Sequence, residues 1–325
     1  MSLKTSSTTL GSEVKVPGSV ANLGGGFDTL GVAIQLFLRA TIVDIQDDGG
    51  AKLVVAKSVP AVRSRNQLER AFEVIAKRTR RHAPTVFVEV SSEIPMAAGL
   101  GSSGAATVAG LRVFERVTGA IPDSVLLAAA TEVEGHADNA APSLFGGLNS
   151  VVEGQDSEPL ALRWTWPDDL RLVVSTPAIG LATAKARAAL PDTMPRPDAI
   201  FNLQRVLSLV HALQHRQYER IREGVKDRWH QPARAALVPL LGEVLAVDDP
   251  DVLGAFLSGA GPSVATIARA EAAPRVERLL ASMYARAGIE TTVRVLAAHE
   301  GASSAEPESS NRVADAAASA RGRAV

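Results

Sequence analysis

Four short stretches of this chain gather small and polar residues in patterns that can do chemistry. The first is Ile94-Pro-Met-Ala-Ala-Gly-Leu-Gly-Ser-Ser-Gly-Ala-Ala106. It joins an alternating strand pattern to a small-residue helical pattern. The N–H groups at a helix start are unpaired and carry the positive end of the helix dipole, so such a junction can hold an anion. Glycines let a phosphate approach the backbone. The hydroxyls of Ser102 and Ser103 can bind phosphate, or a Mg²⁺ held by phosphate. The same glycines would also serve a helix that simply packs tightly on a sheet, and glycines alone do not separate the two readings. Gly99, Gly101 and Gly104 fit G-x-G-x-x-G, but Pro95 interrupts the strand. The next acid in range, Asp123, follows Pro122 at a helix start, so a nicotinamide site is a poor match. Gly99 to Gly104 also has the Walker A spacing, with Ala105 and Ala106 where Lys and Ser/Thr belong. Without that lysine, terminal phosphates need Mg²⁺ and other residues.

The second stretch is Pro17-Gly-Ser-Val-Ala-Asn-Leu-Gly-Gly-Gly-Phe-Asp28. Here Asp28 can hold an ammonium group and Asn22 a hydroxyl, although a surface turn with an Asx cap uses the same residues. The third is Ser258-Gly-Ala-Gly-Pro-Ser263, a hairpin loop by position that can also cover a phosphate chain. The fourth, Glu134-Gly-His-Ala-Asp-Asn-Ala-Ala-Pro142, brings two carboxylates, an imidazole and an amide to a helix end. Glu134 suits Mg²⁺, which takes one or two carboxylates plus phosphate oxygens. A charged helix cap is the commoner use of such residues.

Elements must position these groups. Val14 to Val16 reads as a strand ended by Pro17, and Gly31 to Gln46 as a long extended segment. Lys52 to Val55 would be its hairpin partner across Asp47-Asp48-Gly49-Gly50. Asn66 to Arg81 reads as a helix with Leu68, Phe72, Ile75 and Ala76 on one side. Thr85 to Val90 alternates like a strand. Gly101 to Val117 and Pro122 to Glu134 read as helices, and Gly147 to Val152 and Leu170 to Val174 as strands. Helical patterns follow at 182–189 and 199–217. Strands at Val252 to Leu257 and Val264 to Ala268 flank a glycine turn. A helix at Arg275 to Arg286 and a strand at Thr291 to Leu296 close the pattern, which suggests an α+β layer. Gly154 to Pro159 is polar and linker-like. His211 and His215 share a helix face with Gln204 and Ser208, a solvated face rather than a metal pair. The basic run Arg63 to Arg81 has one aromatic and reads as a solvated helix, and Trp164 and Trp166 as packing residues.

Composition bounds the rest. The 325 residues are 46% hydrophobic and 21% charged, as in ordinary globular proteins. With 34 basic and 35 acidic residues the formal net charge is −1, so there is no bulk electrostatic footprint for nucleic acid. There is no cysteine, which removes disulfides, thiolate metal sites and cysteine nucleophiles. No segment approaches the ~20 apolar residues of a membrane span, and the first 13 residues lack an apolar signal core. The expectation is a cytoplasmic protein.

Taken together, the four stretches resemble the GHMP kinase superfamily, and the homoserine kinase family within it. Pro17 to Gly31 matches P-x-S-x-A-N-L-G-x-G-F-D-x-L-G. Pro95 to Ser103 matches P-x-x-x-G-L-G-S-S, and Glu134 to Pro142 matches E-G-H-x-D-N-x-A-P. Leu257 to Ser263 matches the glycine-rich C-terminal motif. The order and spacing agree over roughly residues 14 to 298.

The resemblance implies an α+β GHMP kinase fold, with a ribosomal-protein-S5-like N-terminal domain and a ferredoxin-like C-terminal domain. The expected division is a flexible 1–12, an ATP-binding 13–165, a C-terminal 166–300 and a disordered tail 301–325. It implies ATP, Mg²⁺ and phosphorylation of the L-homoserine hydroxyl to O-phospho-L-homoserine, on the route to threonine. It implies no nucleic-acid or membrane partner and leaves a homodimer open. Carried over by position, Asn66, Pro95, Gly99, Leu100, Gly101, Ser102, Ser103, Gly104 and Ala105 would bind ATP. Ser103 and Glu134 would hold the metal, with Glu132 as a rival. Asn22, Asp28, His136, Asn139, Arg187 and Arg234 would bind the substrate, the arginines gripping its carboxylate and Asp28 its ammonium. Asn139, Glu134 and Ser103 would carry catalysis. Asp138 and His136 are candidates for a general base by proximity only, and direct transfer to phosphate is the favoured route. Two departures stand out. Gly25 replaces the family's usual proline, which should loosen the substrate loop, and Ala98 replaces a common arginine. Another GHMP kinase, or a non-catalytic nucleotide and amino-acid sensor, are the alternatives.

Overall fold

The computed structural model describes residues 9–61, 66–154 and 158–301. The tail from residue 302 and residues 1–8 lie outside it. Residues 11 and 12 are not loose: Gly11 N–H donates to the Ile42 carbonyl at 2.9 Å and Ile42 N–H to the Ser12 carbonyl at 3.0 Å.

The N-terminal half contains β1 (Glu13–Ala21), β2 (Leu30–Gln46), β3 (Leu53–Val59), α1 (Gln67–Thr79) and β4 (Thr85–Ser92). It continues with α2 (Ser102–Thr118), α3 (Asp123–Glu134), α4 (Ala140–Phe145), β5 (Leu148–Glu153) and β6 (Pro159–Trp164). Its six-stranded sheet runs β3-β4-β2-β5-β6, with β1 added to β2. β1 does not end at Pro17. It continues to Ala21 through a register shift between Pro17 and Gly18. A proline cannot donate to a ladder, and a bulge is where a strand tolerates it.

The expected hairpin after β2 does not form. β1 takes one edge of β2, and β4 and β5 share the other. The Asp48 carboxylate accepts from Gly50 N–H at 2.8 Å and from Thr85 N–H at 3.1 Å. That ties the turn to the start of β4, and β3 then runs parallel to β4 from Leu53↔Val86 to Val59↔Ser91. Helices α1, α2 and α3 pack on one another, with Phe72 and Phe114 edge to face at 5.1 Å.

The C-terminal half contains β7 (Leu170–Pro177), α5 (Thr183–Ala188), α6 (Arg196–Gln214), α7 (Ile221–Gly224) and α8 (His230–Arg234). After α9 (Leu241–Leu245) come β8 (Gly254–Leu257), β9 (Val264–Arg269), α10 (Ala273–Arg286) and β10 (Thr291–Leu296). The sheet order β10-β7-β9-β8 is antiparallel throughout. Numbered by appearance it is four-one-three-two, the ferredoxin-like arrangement of β-α-β-β-α-β.

Strand alternation divides the C-terminal side chains between two cores. Leu172, Val174, Ala265 and Ile267 join the core beneath the N-terminal sheet, so the two halves share it. Val173, Leu257, Val264 and Ala268 face the other way, onto Val276, Leu280 and Tyr284 of α10. The segment that reads as a linker leads directly into β6, which pairs with β5 along its length. Residues 155–157 of that segment lie outside the described residues, and across them Gly154 N–H donates to the Glu158 carbonyl at 2.8 Å.

Candidate active site

A cleft of about 300 Å³ opens between the two halves. Asn22, Asp28, Glu134, His136 and Asn139 line it from the first half, and Arg187 and Arg234 from the second. Gly99, Leu100, Gly101, Ser102, Ser103 and Gly104 form its floor.

That floor has a shape only glycine permits. Gly99 and Gly101 take φ of +74° and +70°. A Cβ on Gly99 would lie 2.3 Å from the Ser258 carbonyl oxygen, and one on Gly101 2.1 Å from Ser19 Oγ. Neighbours hold the loop by its carbonyls. Ser258 Oγ donates to Gly99 O at 2.5 Å, and Ser19 N–H to Leu100 O at 3.1 Å. Ser263 N–H donates to Ala98 O at 3.2 Å. The N–H groups of the first turn of α2 are left without helical partners at the cleft floor, as an anion requires. The buried Ala98 stands where an arginine would have to enter the interior.

Three residues expected to touch ATP do not line this cleft. Ala105 is fully buried, and its N–H closes the first helical bond onto Gly101 O at 2.9 Å. Pro95 lies outside the lining. Asn66 caps α1, accepting from Glu69 N–H at 3.0 Å, and borders an adjacent apolar groove of about 470 Å³. Val59 and Met96 stay largely exposed in that groove, where Ser102 and Ser103 link it to the cleft floor.

Glu134, the last residue of α3, points its carboxylate at α2. Its Oε1 accepts from Ser103 Oγ at 2.9 Å and from Thr107 Oγ1 at 2.6 Å. Glu132 instead faces Arg78, at 3.6 Å, outside the cleft. A carboxylate and two hydroxyls beside a phosphate-binding turn are the hard oxygen donors that Mg²⁺ takes.

The loop from Asn22 to Asp28 is strained and braced. Asn22, Leu23 and Asp28 all have positive φ. Asn22 is spent on the brace: its Nδ2 donates to Gly259 O at 2.9 Å and its Oδ1 accepts from Asp28 N–H at 3.1 Å. Gly25 does not leave the loop loose, because His230 Nε2 bonds Gly24 O at 2.8 Å from beneath.

The charged groups of the cleft are all held by hydrogen bonds, and one opposite-charge pair joins its two sides. Arg187 Nη2 donates to Asp28 Oδ1 at 2.8 Å. Arg234 is 2% exposed, and its Nε and Nη1 donate to the carbonyls of Ala186 and Gly259 at 3.1 Å each. Both guanidinium groups lie over the Phe27 ring, at 5.5 and 5.1 Å. Burial lowers the Arg234 pKa from its ordinary value, and the neighbouring Arg187 adds to this. His136 Nδ1 lies 2.5 Å from Asp138 Oδ1, and that bond raises the imidazole pKa against the opposing pull of burial. Asp28, His136 and Asp138 bring their ligand atoms within 4.8 Å of one another. The His136–Asp138 bond and the Arg187–Asp28 bond tie these three groups into one charge network. Asn139 Oδ1 accepts from Ser19 Oγ at 3.0 Å.

Ser19, Thr107, Phe27 and His230 are site residues that sequence reasoning missed. Two carried a signal: Thr107 lies four residues after Ser103 and His230 four before Arg234, each pair on one helix face.

A family model for the GHMP kinases N terminal domain matches residues 66–147, and one for the GHMP kinases C terminal matches 209–286. A homoserine kinase of Desulfitobacterium hafniense is 34% identical over 87% of this chain and 96% of its own. The chain belongs to the homoserine kinase family of the GHMP kinases. A second homoserine kinase, from Gloeobacter violaceus, is 36% identical over 84% of this chain and 93% of its own. The crystal structure of the Cytophaga hutchinsonii homoserine kinase superposes with a TM-score of 0.78 at 26% identity, covering 93% of this chain and 97% of that one. The α+β two-domain GHMP kinase fold and an ATP-dependent phosphotransferase activity follow from membership of this family.

Proposed function

We propose that this chain transfers the terminal phosphoryl group of ATP to the side-chain hydroxyl of L-homoserine. The observation that carries the acceptor is the Asp28–Arg187 ion pair, with Arg234 beside it, a few residues' width from an anion-binding helix start. An α-amino acid brings one ammonium and one carboxylate. It can replace that internal pair by two external ones, ammonium on Asp28 and carboxylate shared by Arg187 and Arg234, so that Arg234 gains an anionic partner.

Phosphoryl transfer asks a protein for positioning and charge neutralisation more than for covalent chemistry. The α2 start would take the phosphates, and the apolar groove with Val59 and Met96 would take the base. Asn66 borders that groove. Glu134 and Ser103 would hold Mg²⁺, which would neutralise charge on the phosphates. Asn139, fixed by Ser19, orients the hydroxyl but cannot remove its proton. His136 is tied to Asp138, which raises its pKa, and the route proposed is direct transfer of the hydroxyl proton to phosphate.

The exposed side chains Ile200, Leu203 and Leu207 recur at three- and four-residue spacing on α6. A second copy of this chain is the occupant we assign to that stripe, giving a homodimer.

The deciding experiment is ADP release with Mg·ATP across L-homoserine, D-homoserine, L-threonine, shikimate and mevalonate. Selectivity for L-homoserine is the expected result. Selectivity for another alcohol would reassign the acceptor site. ATP binding without turnover on any would favour a sensor.

A further inference from the structure

A second cavity, of about 200 Å³, lies behind the active site. Lys15 of β1, Arg112 of α2 and Arg163 of β6 surround it, with His299 from the segment after β10. Asp123 is the acid in its wall, and it stands 3.7 Å from Arg112. Arg112 also pairs with Glu115 at 2.7 Å, and Arg163 donates to the Phe145 carbonyl at 2.9 Å. Lys15 has its ammonium over the Phe37 ring at 3.8 Å and no ion pair with a described residue. Burial and the neighbouring Lys15 both push the His299 pKa down, so the ring is neutral near pH 7 and can donate one hydrogen bond.

The second observation is Ser143. It is 4% exposed, it lines this cavity, and its Oγ has no hydrogen-bond partner among the described residues. A buried hydroxyl without a partner is costly, and a bound acceptor would remove that cost. Glu115 and Asp123 meet Arg112, and Glu300 lies in the field of Arg163, so Lys15 is the cation of this wall without an ion pair among the described residues; it and the idle donor ask for the same thing, an oxygen-rich anion. Val16, Pro17 and Val108 supply apolar wall for the carbon part of such a ligand.

We propose that this cavity binds a small metabolite through its carboxylate or phosphate group, and that occupancy is felt in the active site. The route is short. β1 carries Pro17 in the cavity and Ser19 against Asn139. α4 carries Ser143 in the cavity, one turn after its cap Asn139 in the cleft. α2 carries Val108 and Arg112 in the cavity and Ser103 in the cleft. Four of the elements that frame the anion cavity, β1, α2, α3 and α4, also place a group of the catalytic cleft, so an occupant that shifts one end shifts the other.

The test uses the full ¹⁵N-labelled chain titrated with inorganic phosphate in one arm and acetate in the other. Amide shifts of Gly146 and Gly301 report the cavity, and those of Gly101 and Ser102 report the cleft. The expected result is saturable binding at Gly146 and Gly301, with millimolar or tighter Kd, in at least one arm. That arm names the class of anion. Binding should weaken at least 10-fold in Lys15→Glu and several-fold in Ser143→Ala, while both variants keep wild-type turnover without the anion. Saturating anion should change the KM of the phosphoryl acceptor at least twofold in the wild type and leave it unchanged in Lys15→Glu. Shifts confined to Gly101 and Ser102, or cavity binding indifferent to both substitutions, would overturn the site. Cavity binding that leaves wild-type KM and kcat unmoved would overturn the coupling.

Discussion

At the scale of single residues, the acceptor side of the cleft is governed by the Asp28–Arg187 ion pair. Asp28→Asn removes the acceptor of the substrate ammonium and also leaves Arg187 without its carboxylate. A lost charge-assisted bond of about 2–3 kcal/mol corresponds to roughly a 30- to 150-fold rise in KM for homoserine. KM for ATP should stay within about twofold, and initial-rate kinetics with each substrate varied will show the split. A rise in both would place Asp28 in the fold rather than in the site. Glu134→Ala should lower kcat by about 100-fold or more, and rising Mg²⁺ should recover part of it; full activity at ordinary Mg²⁺ would remove Glu134 from the metal site.

His136 offers a sign test. Its pKa is raised in the folded chain by Asp138, so its contribution to stability is complete below about pH 6.5, the unfolded value, and is lost as pH climbs through the folded value. His136→Gln should therefore cost more stability at pH 6 than at pH 9, read from urea midpoints. An equal cost at both pH values would mean that the His136–Asp138 bond does not depend on the proton.

At the scale of elements, the strand-to-helix turn before α2 is the piece least tolerant of change. Gly101→Ala places a Cβ against Ser19 Oγ in a left-handed backbone. The conformation alone costs about 1–2 kcal/mol, and the contact adds to it. The expected outcome is a lowered denaturant midpoint together with a loss of kcat larger than the loss of folded protein explains. Unchanged kcat in the folded fraction would detach this turn from the phosphates.

Legibility in the sequence followed the same scale. α2 and α3 were readable because their apolar and small residues recur at helical spacing, and the site residues between Asn22 and Asp28 because glycine and Asn mark a turn. The pairing of β3 was not readable. Its partner depends on which edge of β2 is free, and that depends on β1, β4 and β5, which are distant in sequence. β6 is not legible because an edge strand with one wet face lacks a strong strand pattern, and the polar Gly154 to Pro159 before it has a linker's composition. The bracing contact of Asn22 is not legible for a related reason: its partner Gly259 is 237 residues away.

At the scale of the whole molecule, the α6 stripe carries its own prediction. Leu203 is 66% exposed and Leu207 71%, well above what a solvent-facing helix of a monomer needs. The double substitution Leu203→Glu/Leu207→Glu should convert a dimer of about twice the chain mass to a monomer in analytical ultracentrifugation, with Tm changed by only a few degrees. A wild-type chain that sediments as a monomer would leave this face without the partner assigned to it. No helix among the described residues is long and apolar enough to cross a membrane, so α6 is not read as a span.

The core shared by both halves has a mechanical consequence. Leu172, Val174, Ala265 and Ile267 of the C-terminal sheet are packed into the same interior as Val32, Ile34 and Leu111 of the N-terminal half. Walls that are welded at the back cannot swing apart like a clamshell without opening that interior to water. Nucleotide must therefore come and go through the mouth of a preformed slot, by movement of loops and side chains alone. The radius of gyration should be the same, within about 0.5 Å, with and without saturating ligands.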